Sequence, residues 1–525
     1  MYGRKLAAAA VVVTAVNLLP VAALFSGALT GPGGGFSLGA FKNLLLSSRQ
    51  LVLLGDTLLL AAGAAVFACL LGAPLAFLAA RTDVPGRRLL RALYLFPLLI
   101  PPYVHALVWT GPLNPAALPW PDFPWFPAQP SMYSLPGGVL VFALAYFPLV
   151  TLIVSAGLHG TDRNTEEAAL LARGPRAALF RVTVPLVAPQ LLCAGILVFL
   201  FTMVNFEVAD ILRLKVYPLE IFINFSAYYD ERAAAVLAAP LVAAAMILIL
   251  AQMLFMQGRS YVDWRGGQSA SVYRLGWFRK PAAAWYAVVL LAGLGLPVVC
   301  LVLGTGGTSA WARIWKSSMD AVVNSVWLAA AGAVVITTVS IPVACYLVRT
   351  TGRLRSLVDY LTQVPLGVPS IAIGIGSIHV YNRAGLDRIY GTSAVLILAL
   401  ACGYAPFVIR VLTARLRQVD REWEEAGMMA GRKPFRVFLR VTLPQLAPGI
   451  AAGLLVGYVL CLANLGTALL LVPPGSETAP ISIYNYLHYG ARDAVFALSL
   501  ILVGAAALPL LLIYPLYRKW TSGLE

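Results

Sequence analysis

Apolar runs long enough to cross a lipid bilayer recur along the whole of this 525-residue chain. A crossing helix needs about 20 apolar residues at about 1.5 Å of rise each. Such runs cover approximately 6–29, 51–80, 89–110, 136–158, 186–212 and 233–257. After a polar interval they resume at 283–305, 321–348, 357–380, 393–412, 445–473 and 492–517, giving six on each side. Only 11% of residues are charged and 60% are hydrophobic, whereas a soluble domain carries about 25% charged residues. A water-soluble fold is excluded on that ground. Closed barrels show short alternating segments of about ten residues, so the expected fold is all-α integral membrane with about twelve transmembrane helices.

Basic residues set the expected orientation. With Arg4 and Lys5 inside, an even number of spans returns Arg518 and Lys519 to the same side. The loops then inside carry Arg81, Arg87, Arg88 and Arg91, then Arg173, Arg176 and Arg181, then Arg349, Arg353 and Arg355, and a dense group from Arg410 to Arg440. The formal net charge of +16 is thereby accounted for by topology, and no nucleic-acid partner is required. The first run is longer than a signal-peptide core of 7–15 residues and reads as a retained helix. All six cysteines lie in apolar runs without CxxC spacing. They read as packing residues, and no metal site is expected.

The chain also repeats itself. Glu166–Pro189 and Glu425–Pro448 align without gaps, with nine of 24 positions identical, among them Glu166/Glu425, Pro175/Pro434, Arg181/Arg440 and Pro185/Pro444. The same offset pairs Asn205 with Asn464, and upstream Pro97 and Pro101 match Pro365 and Pro369. Six spans separate equivalent points, so the repeats run parallel, about an axis along the membrane normal. The division expected is 1–257 and 283–525 as six-helix repeats, joined by a cytoplasmic linker, 258–282.

Each repeated segment lies between the fourth and fifth spans of its half. It opens with a carboxylate where a helix N-terminus favours one, then small and apolar residues, then a proline that predicts helix, turn and second helix. A single amphipathic loop would only reconnect two spans. Two copies at matched positions predict an external surface contacted twice.

The pattern E-A-A-x3-G-x9-I-x-L-P resembles the signature loop of binding-protein-dependent ABC importer permeases. The second copy carries it as Glu425, Ala426, Gly427, Gly431, Val441, Leu443 and Pro444. The first has Glu166, Glu167, Ala168, Ala172 in place of the glycine, Val182, Val184 and Pro185. The resemblance implies that these loops, with Pro175, Arg181, Pro434 and Arg440, dock on a cytoplasmic ATPase and couple its closure to the spans. The fused layout, with IPPYVHALVW in the third span, is most similar to ferric-iron permeases; thiamine permeases share the layout. A bacterial inner-membrane location is implied.

None of the seven lysines lies in a G-x-x-x-x-G-K-[ST] loop. The chain therefore carries no ATPase of its own and no bound cofactor is expected; ATP would be held by the partner. Two docking loops predict two ATPase copies. Loops outside the membrane reach a few tens of residues, so a separate substrate-binding protein is expected. The aromatic loop with Trp120, Phe123, Trp125 and Phe126 reads as an interfacial belt or a docking point for it.

Ionisable groups within spans are costly and mark candidate paths. Glu207 and Asp210 share a helix face, with Gly466 and Leu469 at the repeat offset. An acidic face suits a cation; the alternative is boundary pairing with Arg213 or Lys215. Tyr103, His105, Asn205 and Asn464 complete the candidate path set. A secondary carrier shares the count of twelve spans but has no reason to repeat this loop. A membrane enzyme would need convergent titratable groups, and neither G-x-S-x-G nor H-E-x-x-H occurs.

Overall fold

The computed structural model describes residues 2–29, 39–45, 47–111, 113, 131–160, 163–256, 273–386 and 388–522. The aromatic loop around Trp120 and most of the 258–282 linker lie outside the described residues. The described residues form helices joined by turns and short irregular segments; among them there is no strand, and the one β contact is an isolated bridge between Thr82 and Tyr273.

We number the spans α1 (Tyr2–Leu29), α2 (Ser48–Arg81), α3 (Arg87–Leu99 with Pro102–Thr110), α4 (Leu135–His159), α5 (Val184–Met203) and α6 (Glu231–Met256). They continue with α7 (Gly276–Leu303), α8 (Met319–Arg349), α9 (Arg353–Gly367 with Ser370–Tyr381), α10 (Ser393–Leu416), α11 (Leu443–Leu462) and α12 (Arg492–Ser522). Ten are single apolar helices, while α3 and α9 are bent by 89° and 109°. The bends fall at Pro101 and Pro369, whose rings cannot continue the preceding helix.

A bent pair is either a broken span or a re-entrant loop. The neighbours decide between these. Gly63 of α2 lies against Val139 of α4, Gly72 lies against Phe147 and Val150, and Arg81 bonds the carbonyl of Leu158. Numbers rise together, so α2 and α4 run parallel, and the chain between them must cross back. The same holds for α8 and α10, where Gly332 meets Leu400 and Arg349 bonds the carbonyl of Val419. Both bent pairs are therefore crossings.

The chain folds as two compact units that partition it differently from the sequence repeats. One comprises Met1–Leu46, Glu220–Met246 and Thr305–Glu525; the other comprises Ser47–Leu219 and Ile247–Gly304. Thus α1 is grouped with α8 to α12, and α7 with α2 to α5. In the first unit α1 packs on α9 so closely that a Cβ on Gly376 would lie 2.0 Å from the carbonyl oxygen of Pro20; only glycine admits that approach. In the second unit Val289 and Leu290 of α7 join Leu75, Leu78 and Phe147 in one buried cluster. All six cysteines are free thiols.

Candidate functional site

The segment joining α4 to α5 forms one helix, Arg163–Ala178, broken at Gly174 (φ 77°, ψ 173°). Glu166 lies in its first turn and is fully buried. A lone buried carboxylate would take up a proton or force the segment out. Here Arg81, at the end of α2, places its Nε 3.2 Å from Glu166 Oε2 and donates from Nη2 to the Leu158 carbonyl at 2.6 Å. Beyond Pro175 the chain passes through a wide turn of π type, Leu179–Thr183, into α5. Pro185 follows that turn. A proline ring clashes with the carbonyl four residues before it, and Arg181 lies inside the wide turn, where that carbonyl is displaced. Thr183 is buried, with its hydroxyl 2.9 Å from that of Tyr273. Burial, with Glu166 nearby, raises the Tyr273 pKa against the opposing effects of Thr183 and Arg81. The phenol therefore stays protonated at neutral pH.

The segment joining α10 to α11 repeats this plan. Helix Arg421–Met429 starts at Asp420, whose side chain caps the Glu422 amide. Glu424 accepts from Arg349 Nη2 at 2.9 Å and from the Thr442 hydroxyl at 2.9 Å. A turn at Gly431 (φ 74°) leads to a short helix, Pro434–Val437, and a second π turn, Phe438–Thr442, with Pro444 just beyond. Arg81 and Arg349 stand 268 positions apart, as do Pro97 and Pro365. The arginines are thus equivalent members of the repeat, which the sequence reading missed.

Two details differ from the sequence alignment. Glu424, rather than Glu425, takes the place equivalent to Glu166. Glu425 faces outward and pairs with Arg421 one turn back at 2.9 Å. The bend of the first segment falls at Gly174, so the glycine that Ala172 was thought to replace is present two residues later. Ala172 lies exposed on the helix. An ungapped alignment hides this, because the interval from arginine-paired acid to proline is one residue shorter in the first copy.

Both segments expose apolar side chains beside basic ones. Leu171 and Phe180 are exposed in the first; Trp423, Met429 and Phe435 in the second. Arg173, Arg176, Arg181, Arg432, Lys433, Arg436 and Arg440 are exposed among them, as are Ala168, Pro175, Ala426 and Pro434. Gly427 is half-buried against Val437. Exposed apolar groups rimmed by polar ones are characteristic of surfaces that meet a protein partner or the membrane.

The fifth and eleventh spans are discontinuous. After α5 ends at Met203, Asn205 Oδ1 accepts from the Val208 amide at 3.0 Å and starts a short helix, Glu207–Ile211. After α11 ends at Leu462, Asn464 Oδ1 accepts from the Ala468 amide at 3.2 Å and starts Gly466–Leu471. Each asparagine stands one residue before the N-cap of its helix, Phe206 or Leu465, and its side-chain oxygen binds an amide of the opening turn. Asn205 also donates to Glu207 at 3.2 Å, while Asn464 donates to the Tyr404 hydroxyl at 2.8 Å. Glu207 is buried, Asp210 half-buried, and the helix Glu207–Ile211 packs against Pro102–Thr110, where Tyr103 and His105 are buried. Arg213 stacks over the Tyr133 ring at 5.8 Å. At the repeat positions of Tyr103 and His105 stand Ile371 and Ile373. Among the described residues no three His, Cys, Asp or Glu side chains converge to hold a metal ion.

The family of binding-protein-dependent transport system inner membrane components matches residues 336–522. The molybdenum transport permease ModB of Mycobacterium tuberculosis is 30% identical over 43% of this chain and 92% of its own length. The chain belongs to this permease family. The permease is also 25% identical to the Fe(3+)-transport permease FbpB 2 of Haemophilus influenzae, over 90% of this chain and 91% of that one. The putrescine permease PotI of Escherichia coli is 28% identical over 43% of this chain and 87% of its own. The permease is therefore a multi-pass transport subunit of an ABC importer, not an enzyme, and its likeness to the ferric permease FbpB 2 runs along nearly the whole chain.

Proposed function

We propose that this permease imports ferric iron delivered by a soluble binding protein, powered by two copies of a separate ATPase docked on the two repeated segments. The observation that carries the coupling assignment is the duplicated anchor: Arg81–Glu166 and Arg349–Glu424, each followed by a positive-φ glycine and a π turn. Two matched segments, each with exposed apolar and basic groups, suit two identical partner surfaces. We assign Glu166, Ala168, Ala172, Pro175, Arg181 and Pro185 to the first, and Glu425, Ala426, Gly427, Gly431, Pro434, Arg440 and Pro444 to the second. To these we add Arg81, Gly174, Arg349 and Glu424.

The repeats are taken as 1–257 and 283–525. A single-length relative such as ModB, covered over 92% of its length by 43% of this chain, supports that division. The basic loops support a topology with the repeated segments and both termini in the cytoplasm and the chain in the bacterial inner membrane.

Iron rests on the likeness to FbpB 2 along nearly the whole chain and on the buried Glu207. A carboxylate in the path attracts a cation and opposes an oxyanion such as molybdate. Tyr103, His105, Asp210, Asn205 and Asn464 are assigned to the same path, the asparagines shaping its backbone. Molybdate is the second reading, favoured by the 30% identity to ModB. Proteoliposomes containing the permease, its ATPase and its loaded binding protein test the choice. Uptake of radioactive ferric iron that requires ATP supports the proposal; uptake of molybdate, putrescine or thiamine instead, or uptake driven by a proton gradient without ATP, overturns it.

A further inference from the structure

Thr183 and Thr442 occupy equivalent positions at the ends of the two π turns, yet their hydroxyls have different partners. Thr442 donates to Glu424, the half-buried acid of its own segment, which pairs with Arg349. Thr183 instead meets the hydroxyl of Tyr273, which belongs to the polar interval between the repeats. Tyr273 is held firmly at the other end. Its amide donates to the Arg81 carbonyl at 3.0 Å, and its ring lies 5.2 Å from that of Phe77. Two residues on, the Leu275 amide donates to Asp83 Oδ1 at 2.9 Å, and Arg279 Nε donates to the Asp83 carbonyl at 3.1 Å. The end of the linker is thus sewn to the end of α2, and one hydroxyl reaches from it to the first repeated segment.

We propose that Tyr273 is a positioning residue: it fixes the first coupling segment against the end of α2, so that the linker between the repeats is a working part of one coupling element. This rests on the coupling role proposed above. The second segment closes its own Thr–Glu–Arg chain, whereas the first divides the task, with Arg81 holding Glu166 at its start and Tyr273 holding Thr183 at its end. Force applied to the turn at Gly174, beside the exposed Arg173 and Pro175, is then delivered to α2 and α5 together, because both anchors converge on the terminus of α2.

Two readouts test this: hydrogen exchange of the purified permease reports the anchor, and ferric iron transported per ATP hydrolysed by the reconstituted permease–ATPase complex reports coupling. Tyr273→Phe keeps the ring on Phe77 and removes only the hydroxyl. Thr183→Val removes the same bond from the other side and guards against a folding defect peculiar to either variant. Each is expected to speed exchange in residues 174–183 about fivefold to tenfold, the opening that follows loss of one net hydrogen bond, with residues 431–442 unchanged. The double variant should be no faster than either single one. Transport per ATP should fall severalfold with complex assembly intact. Unchanged exchange in 174–183 for both variants overturns the positioning role. Faster exchange with unchanged transport per ATP keeps the anchor and overturns the coupling role of this segment.

Discussion

Arg81 and Glu166 form an ion pair 3.2 Å apart in which the guanidinium is 5% exposed and the carboxylate not at all. Two charges withdrawn so far from water are stable only together: removing one partner of a buried pair costs about 3–5 kcal/mol, while replacing both with apolar groups is often neutral. The pair joins the end of α2 to the segment between α4 and α5, so the charges define where that segment starts. Its counterpart, Arg349–Glu424, does the same between α8 and the second segment at 17% exposure on each side.

Glu166→Gln and Arg81→Met are therefore each expected to lower the thermal stability of the purified permease sharply and to abolish transport. The double replacement Arg81→Met with Glu166→Leu should recover much of the stability. Arg349→Met should be milder, because water reaches the orphaned Glu424. Thermal unfolding in detergent, followed by near-ultraviolet circular dichroism, ranks the four variants. Equal losses at Arg81 and Arg349 would contradict this account.

The bends offer a separable test. A Cβ at Gly174 or Gly431 meets nothing within 4 Å, yet both residues have φ near +75°. Substitution thus strains the backbone without a clash. Gly431→Val should cost about 1–3 kcal/mol of local strain and reduce transport per ATP hydrolysed, whereas Gly431→Asn, which tolerates this region, should retain most of it. At Gly174 the backbone (φ 77°, ψ 173°) lies in a region that only glycine adopts readily, so Gly174→Val and Gly174→Asn should both reduce transport per ATP hydrolysed.

Much of this was legible in the sequence because membrane helices announce themselves by length and apolarity, and the twelve runs correspond to the spans observed. The repeated segments were legible because prolines and arginines recur at a fixed offset. The pairing of Glu166 with Glu425 differs from the structure by one position, because the identity of the two residues in an ungapped alignment outweighs a one-residue difference that only the partners of Glu424 reveal. Arg81 and Arg349 read as loop charges obeying the inside rule; nothing local marks an arginine at a span end as a buried partner. The grouping of α1 and α7 away from their own repeats was also invisible, because an apolar helix carries no signal of which neighbours it packs on. Asn205 and Asn464 were found by the repeat, but their bonds to the helix that follows depend on a helix break that apolarity conceals.

That one-residue correction predicts a specific contrast. Glu425 is half exposed and pairs only with Arg421 one turn away, an interaction of about 0.3–0.5 kcal/mol. Glu425→Gln should leave permease stability unchanged. Glu424→Gln weakens the bonds from both Arg349 and Thr442 and should destabilise the segment measurably. If Glu425→Gln nevertheless lowers transport per ATP, its effect lies at the ATPase surface, and a shift in the apparent affinity of purified ATPase for the permease is the measurement that registers it.

Glu207 makes the strongest statement about what is carried. It is buried at the start of the short helix after the break in α5, held by Asn205 at 3.2 Å, and the matching position in the other repeat is Gly466. A structural role and a path role predict different outcomes for Glu207→Gln. The glutamine retains size and can still bond Asn205, so a purely structural carboxylate should tolerate it with little change in stability or uptake. A carboxylate that meets a passing cation loses its charge, and ferric uptake should fall at least about tenfold, the effect of removing roughly 1.4 kcal/mol from the step. The ATPase activity stimulated by the binding protein should persist. Asn205→Ala supplies the complementary control, because it removes the bonds to Glu207 and to the Val208 amide, each worth about 0.5–1.5 kcal/mol, and should lower stability and uptake together. Uptake unaffected by Glu207→Gln would remove the in-span charge from the path and, with it, the physical argument for a cation over an oxyanion.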